Sequence, residues 1–181
     1  MQTLSQLSAI IEKELRKIQL PNSPSKLYQP IDYVMGLGGK RMRPILLLMA
    51  HQLFDENIEK AISPALGIEI FHNFTLLHDD IMDNAPIRRG KQTVHEKWNK
   101  NVAILSGDTM LVQAYQLLSD VDKSIVKEMI AVFSKAATQV CEGQQWDMDF
   151  EIQKEVTLQE YLKMIEYKTA VLLATSLQIG G

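Results

Sequence analysis

From Ile58 to Met82 the chain keeps helical spacing. Its centre, with Ile68, Ile70, Phe71, Phe74, Leu76 and Leu77, puts apolar side chains on nearly every side. A helix without a wet face is stable in water only when other elements surround it, so this segment dictates a central helix inside a jacket. The jacket is available, because apolar positions recur at helical spacing almost everywhere else and no stretch alternates apolar with polar residues as a strand would. The spacing predicts helices over Thr3 to Ile18, Ser25 to the Gly36/Gly38/Gly39 cluster, Pro44 to Phe54, Ile58 to Met82, Val102 to Leu118, Ser124 to Trp146 and Leu158 to Gln178. Short connections between them lead to an all-α, antiparallel helical bundle, formed as a single domain over residues 1–181. In such a bundle, sites are built by inward-facing residues where helix ends meet.

Composition narrows the function. Of 181 residues 46% are hydrophobic and the formal charge is −3, enough apolar content to bury a core and too acidic for general nucleic-acid binding. The one cysteine, Cys141, can form no internal disulfide and belongs to no zinc cluster. A reducing, cytoplasmic setting and a buried packing role for Cys141 are expected. The longest purely apolar runs, such as Ile45 to Ala50 and Ala170 to Ala174, fall far short of the roughly 20 residues that cross a bilayer. The N-terminal stretch interleaves Lys13, Glu14 and Arg16 with Leu7, Ile11 and Leu15, which is amphipathic and unlike a signal sequence.

Chemistry concentrates at the end of the central helix. Asp79 and Asp83 are four apart in Asp79-Asp80-Ile81-Met82-Asp83 and would share one helix face, with Asp80 rotated aside. Two carboxylates on one face ask for a cation. Magnesium fits, being hard and commonly held by one or two carboxylates together with waters and substrate phosphates, so a diphosphate substrate is implied. Arg88 and Arg89 follow at once, and guanidinium groups bind phosphate bidentately. Upstream, Gly38-Gly39-Lys40-Arg41-Met42-Arg43-Pro44 packs three cations into a glycine-led helix start, a natural anion site.

These motifs, in this order, resemble the trans-isoprenyl diphosphate synthases, or polyprenyl synthetases. The similarity runs from about Met35 to Thr169. It rests on Gly38 to Pro44, on Asp79 to Gly90, on Gly107-Asp108, on Gly143-Gln144 with Asp147, and on Lys168-Thr169. The resemblance implies that Lys40, Arg43 and His72 hold isopentenyl diphosphate, with Arg89 completing the site. It further implies that an allylic diphosphate binds through Mg2+ on Asp79 and Asp83, assisted by Arg88, Gln144, Lys168 and Thr169, with Asp80 a lesser metal contact. Phe74 and Thr75, one turn deeper than Asp79, would meet the growing prenyl tail; as a floor, Phe74 leans the product towards fifteen to twenty carbons, although an aromatic there reads equally well as core. A homodimer is expected.

The family also carries a second aspartate-rich motif on a later helix, which nothing after Thr169 supplies. The bundle is therefore expected to be truncated before its last helices, and activity of this chain by itself is an open expectation. The alternative is a non-catalytic accessory or regulatory subunit, or an inactive fragment of a synthase. A rival enzyme class reads His78-Asp79, with His51, as ligands of an all-α phosphohydrolase; it leaves the basic motifs unused.

Overall fold

The structure is a computed structural model that describes all of residues 1–181. Helix α1, Leu4–Lys17, opens with a capping box in which Thr3 accepts from the Gln6 backbone while the Gln6 side chain accepts from the Thr3 N–H. Helix α2 spans Ser25–Gly36. Helix α3, Met42–His51, starts two residues before Pro44, because proline is tolerated in a first turn whose N–H groups have no acceptor. It also stops short of Phe54, the chain turning after His51. Helix α4 spans Glu59–Met82.

The chain then forms a two-stranded antiparallel hairpin, β1 Ile87–Arg88 and β2 Lys91–Gln92, and a single turn of helix, α5, Val94–Lys97. Helices α6, Lys100–Ser119, and α7, Val126–Phe150, follow. Helix α8, Leu158–Ile165, passes through a π-helical turn, Glu166–Ala170, into α9, Val171–Gly180. The expected uninterrupted helix over Leu158 to Gln178 is thus two helices joined by a wider turn. The hairpin and α5 were outside the sequence expectation; elements this short are set by turn geometry and leave no periodicity to read.

Helix α4 is central, as its composition demands. It packs most extensively on α6 and also meets α1, α2, α3 and α9, while α7 closes against α6 and α9. One apolar cluster runs through the bundle. At its middle the Phe133 ring of α7 takes Phe71 of α4 and Tyr115 of α6 edge-on, at centroid separations of 4.9 and 5.0 Å. Yet α4 is not wholly apolar. Glu69, Asn73 and Asp80 are 2%, 1% and 5% exposed, and such groups are tolerated in a core only when paired. No helix is long and apolar enough to cross a membrane. Cys141 corrects the expectation of a packing role: it is exposed, because its neighbour Val140 supplies the buried position on that turn of α7.

Candidate functional site

Helix α4 ends at the carboxylates. Asp83 is its C-cap, and the Asp83 N–H donates to the Asp79 carbonyl at 2.8 Å, so the two residues lie one turn apart on a single face. Asp79 is pushed up to about 6 by burial and by the charges of Asp83 and Asp80, against the opposing pull of Lys168 and Arg88. Neither carboxylate has an ion-pair partner, whereas Asp80 is buried and takes both Nε and NH2 of Arg88, at 2.8 and 2.7 Å. Lys168 lies near enough for its charge to pull Asp79 down, and it donates to Asp147 of α7.

The π-helical turn explains how Lys168 gets there. A Cβ on Gly143 would fall 2.3 Å from the Lys168 backbone nitrogen, so only the bare glycine of α7 admits this backbone. A π-turn widens the helix locally, and here the widened turn is seated on Gly143. Gln144, next in line, is 7% exposed with both amide atoms lacking a protein partner. Thr169 is exposed, and so is Lys40.

The second half of the site is cationic. Arg43 donates to His72 Nε2 at 3.0 Å; since a guanidinium can only donate, Nε2 is the acceptor and the ring proton sits on Nδ1. The imidazole is held neutral, pushed down to about 3 by burial and by the charges of Arg43, Arg89, Arg88 and Arg41. Arg43 is itself lowered by burial, with its Nε left buried and unpartnered. Arg89 reaches this cluster from the hairpin. Its backbone (φ 52°) and that of Gly90 (φ 76°) are both left-handed, as a two-residue type I′ turn requires. The Arg89 guanidinium lies where a Cβ on Gly39 would meet it at 3.0 Å. Tyr33 of α2 ties the hairpin down, its hydroxyl donating to the Gln92 carbonyl at 2.8 Å.

Other sequence candidates fall elsewhere. Phe74 is 8% exposed and belongs to the apolar cluster, tilted against Phe71 and edge-on to His78 at centroid separations of 5.5 and 4.7 Å. The Thr75 hydroxyl donates to the His72 carbonyl at 2.8 Å. His78 turns to α6, donating from Nε2 to the Ile104 carbonyl at 3.2 Å, and His51 donates to the Asn57 carbonyl at 3.2 Å. The phosphohydrolase ligand set does not converge, and no group of three or more His, Cys, Asp or Glu side chains could hold a metal. What converges is a carboxylate pair near a lysine and, around a neutral histidine seven residues earlier on the same helix, a seat of arginines.

The family profile described as polyprenyl synthetase matches residues 24–181. The chain belongs to the polyprenyl synthetase family. It is 46% identical over 160 residues to a geranylgeranyl diphosphate synthase of Methanosarcina mazei, covering 87% of this chain and 49% of that one. A short chain isoprenyl diphosphate synthase of Methanocaldococcus jannaschii is 41% identical over 172 residues, covering 94% and 52% respectively. The chain thus spans about half the length of these curated relatives. A crystal structure of a geranylgeranyl pyrophosphate synthase superposes with a TM-score of 0.96 at 48% identity, over 99% of this chain and 55% of that one. The all-α bundle is therefore the polyprenyl synthetase fold. Sequence reasoning missed three contributors to the site: Asp147 as the partner of Lys168, Gly143 as the seat of the π-turn, and Glu69 as a buried charge. The first two lie inside a quoted motif; Glu69 had no signal beyond being a lone acid in an apolar helix.

Proposed function

We propose that this chain carries a magnesium-dependent trans-prenyltransferase site that condenses isopentenyl diphosphate with an allylic diphosphate, with products of fifteen to twenty carbons. The observation that carries the reading is an unpaired carboxylate platform, Asp79 and Asp83 at the end of α4, together with a cationic seat gathered around His72 of the same helix by Arg43 of α3 and Arg89 of the hairpin, in which the buried Arg43 Nε has no protein partner. A carboxylate raised by burial and by its neighbours' charge is a carboxylate that gains from a cation, so the residues fit Mg2+. When bound there, Mg2+ supplies Lewis-acid neutralisation of a leaving diphosphate.

The chain's own residues do the rest. Arg43, Arg89, His72 and Lys40 hold isopentenyl diphosphate, the guanidinium groups through charge-assisted hydrogen bonds. Lys168, with Arg88, Thr169 and Gln144, faces the diphosphate of the allylic partner and stabilises the charge it gathers as the carbon–oxygen bond breaks. The isopentenyl double bond then attacks the cationic allylic carbon, forming the new carbon–carbon bond, and the departing diphosphate takes the proton lost. The neutral His72, proton on Nδ1, orients by hydrogen bonding and is no base at work here. Phe74 closes the apolar depth below the platform, in keeping with relatives named for geranylgeranyl products.

The site belongs to a single domain in the cytoplasm and is assembled as a homodimer, for which the exposed Leu105 and Val112 of α6 offer apolar surface; sedimentation equilibrium at micromolar concentration reads the dimer directly. The test of function is incubation with Mg2+, labelled isopentenyl diphosphate and dimethylallyl, geranyl or farnesyl diphosphate, with products resolved by length. Label in C15 or C20 diphosphates is expected. No incorporation with any primer refutes catalysis by this chain.

A further inference from the structure

Arg41 stands among the cations of the Gly38 to Arg43 loop, yet it is taken up internally. It is 4% exposed, its Nε donates to Glu12 of α1 at 2.8 Å, NH1 to Glu69 of α4 at 2.7 Å, and NH2 to the Met35 carbonyl at 3.0 Å. Burial alone pulls its pKa down, but the hydrogen bonds and charges of Glu12 and Glu69 outweigh that and leave it raised. Its backbone is left-handed, with φ 47°. That conformation costs a non-glycine residue roughly 1–2 kcal/mol and persists where the surroundings over-determine it. Glu69 is fixed in turn by Asn73, whose Nδ2 donates to Glu69 Oε1 at 3.0 Å and to the Glu69 carbonyl at 2.8 Å.

Two residues beyond Arg41 comes Arg43, on His72, and two before it comes Gly39, against which Arg89 rests. Whatever fixes Arg41 therefore fixes both neighbours of the seat. Glu69 and Asp80 are eleven positions apart on α4, about three turns plus 20° at roughly 100° per residue, and so lie on one face. Asp80 moors the hairpin through Arg88 as Glu69 moors the loop through Arg41. Each cationic arm is tied to the central helix by one buried carboxylate.

We infer that Glu69 and Arg41, braced by Glu12 and Asn73, are positioning residues that hold the Arg43, His72 and Arg89 diphosphate seat in shape from behind without touching the ligand. The inference rests on the functional reading above. Simple Coulombic reasoning gives the opposite sign for Glu69: a negative charge next to an anion seat opposes the anion, so Glu69→Gln by itself leaves the seat more positive and tightens binding. Positioning demands that it weaken. Arg41→Lys keeps the charge and loses the planar fork that reaches three acceptors at once, so it isolates geometry.

The experiment is calorimetric titration of the full chain with inorganic diphosphate, first without Mg2+ and then with it. Misplacing a guanidinium seat weakens diphosphate about tenfold in Glu69→Gln and Arg41→Lys and about threefold in Glu12→Gln, whose carboxylate is partly exposed. The factor by which Mg2+ tightens binding, set at Asp79 and Asp83, stays as in the parent. Unchanged or tighter Mg2+-free binding in Glu69→Gln and Arg41→Lys overturns the inference, as does parallel loss of the Mg2+ factor, which signals general damage. Should the two core variants fail to fold, Glu12→Gln decides: weaker binding supports the inference and parent-like binding overturns it. A parent chain that binds no diphosphate at all overturns the functional reading, and the inference with it.

Discussion

Asp79→Asn is expected to stabilise the fold while removing its function. In the folded chain Asp79 is raised from 3.8 to about 6, by burial first and then by Asp83 and Asp80, with Lys168 and Arg88 pulling the other way. At about 1.36 kcal/mol per pKa unit, the charged carboxylate costs about 3 kcal/mol at neutral pH as an upper bound, and about 1–3 kcal/mol after allowance for solvent at a half-buried position. A group whose folded pKa is raised adds stability below its unfolded pKa and loses it as pH climbs through the folded value. The penalty is therefore absent near pH 4 and complete above about 6. Asparagine keeps the shape and drops the charge. With an unfolding entropy of about 2.1 cal/mol/K per residue over 181 residues, the gain at pH 7.5 is about 3–8 °C in Tm. The assay is differential scanning calorimetry of both proteins at pH 4, 6 and 7.5 with the metal chelated, followed by Mg2+ and inorganic diphosphate. The variant melts higher at pH 7.5, converges with the parent near pH 4, and no longer responds to Mg2+. An equal or lower Tm at pH 7.5, or a gap that survives at pH 4, refutes the claim that an uncompensated charge sits at the end of α4.

His72 acts in the opposite sense: its folded pKa, pushed down to about 3 by burial and four arginines, means stability present above about 6.5 and lost as pH falls towards 3. His72→Gln should therefore flatten the acid limb of the Tm-pH curve between pH 6.5 and 4, and an unaltered limb counts against the neutral imidazole. Because Asp79 and His72 titrate over one window with opposite signs, each is read only in the difference from its own variant. Gly143→Ala places a Cβ 2.3 Å from the Lys168 backbone nitrogen; overpacking against backbone costs about 1–3 kcal/mol, and chemical denaturation should show it together with weaker Mg2+-dependent diphosphate binding. Gly90→Ala forces a side chain onto φ 76° at about 1–2 kcal/mol. It should lower diphosphate affinity through Arg89 while leaving Mg2+ affinity alone, and loss of both in calorimetry contradicts the division of the site.

How far the sequence carries depends on how local the determinant is. Helices α1 to α4, α6 and α7 were legible because each sums many weak apolar placements at one period; only the ends moved, α3 running Met42–His51 against the expected Pro44 to Phe54 and α7 reaching Phe150 beyond the expected Trp146. The hairpin was hidden because its conformation rests on two left-handed residues, Arg89 and Gly90, and Arg-Gly is a weak I′ signature beside Asn-Gly. The π-turn was hidden because its cause lies outside its own segment, in a glycine on α7. The same distinction runs through the site. Asp79 with Asp83 follows from helix pitch. That Arg41 closes inward on Glu12 and Glu69, 29 and 28 residues away, follows from nothing local, so one cation among three in a basic motif could not be told from its neighbours. The physics that sorts them is burial. A guanidinium enclosed with two carboxylates is neutralised and becomes structure, and one enclosed with an imidazole and another arginine keeps its charge for a ligand. The motif supplies three positive charges; the fold, by placing Glu69 under one of them, decides which remain available to the proposed diphosphate.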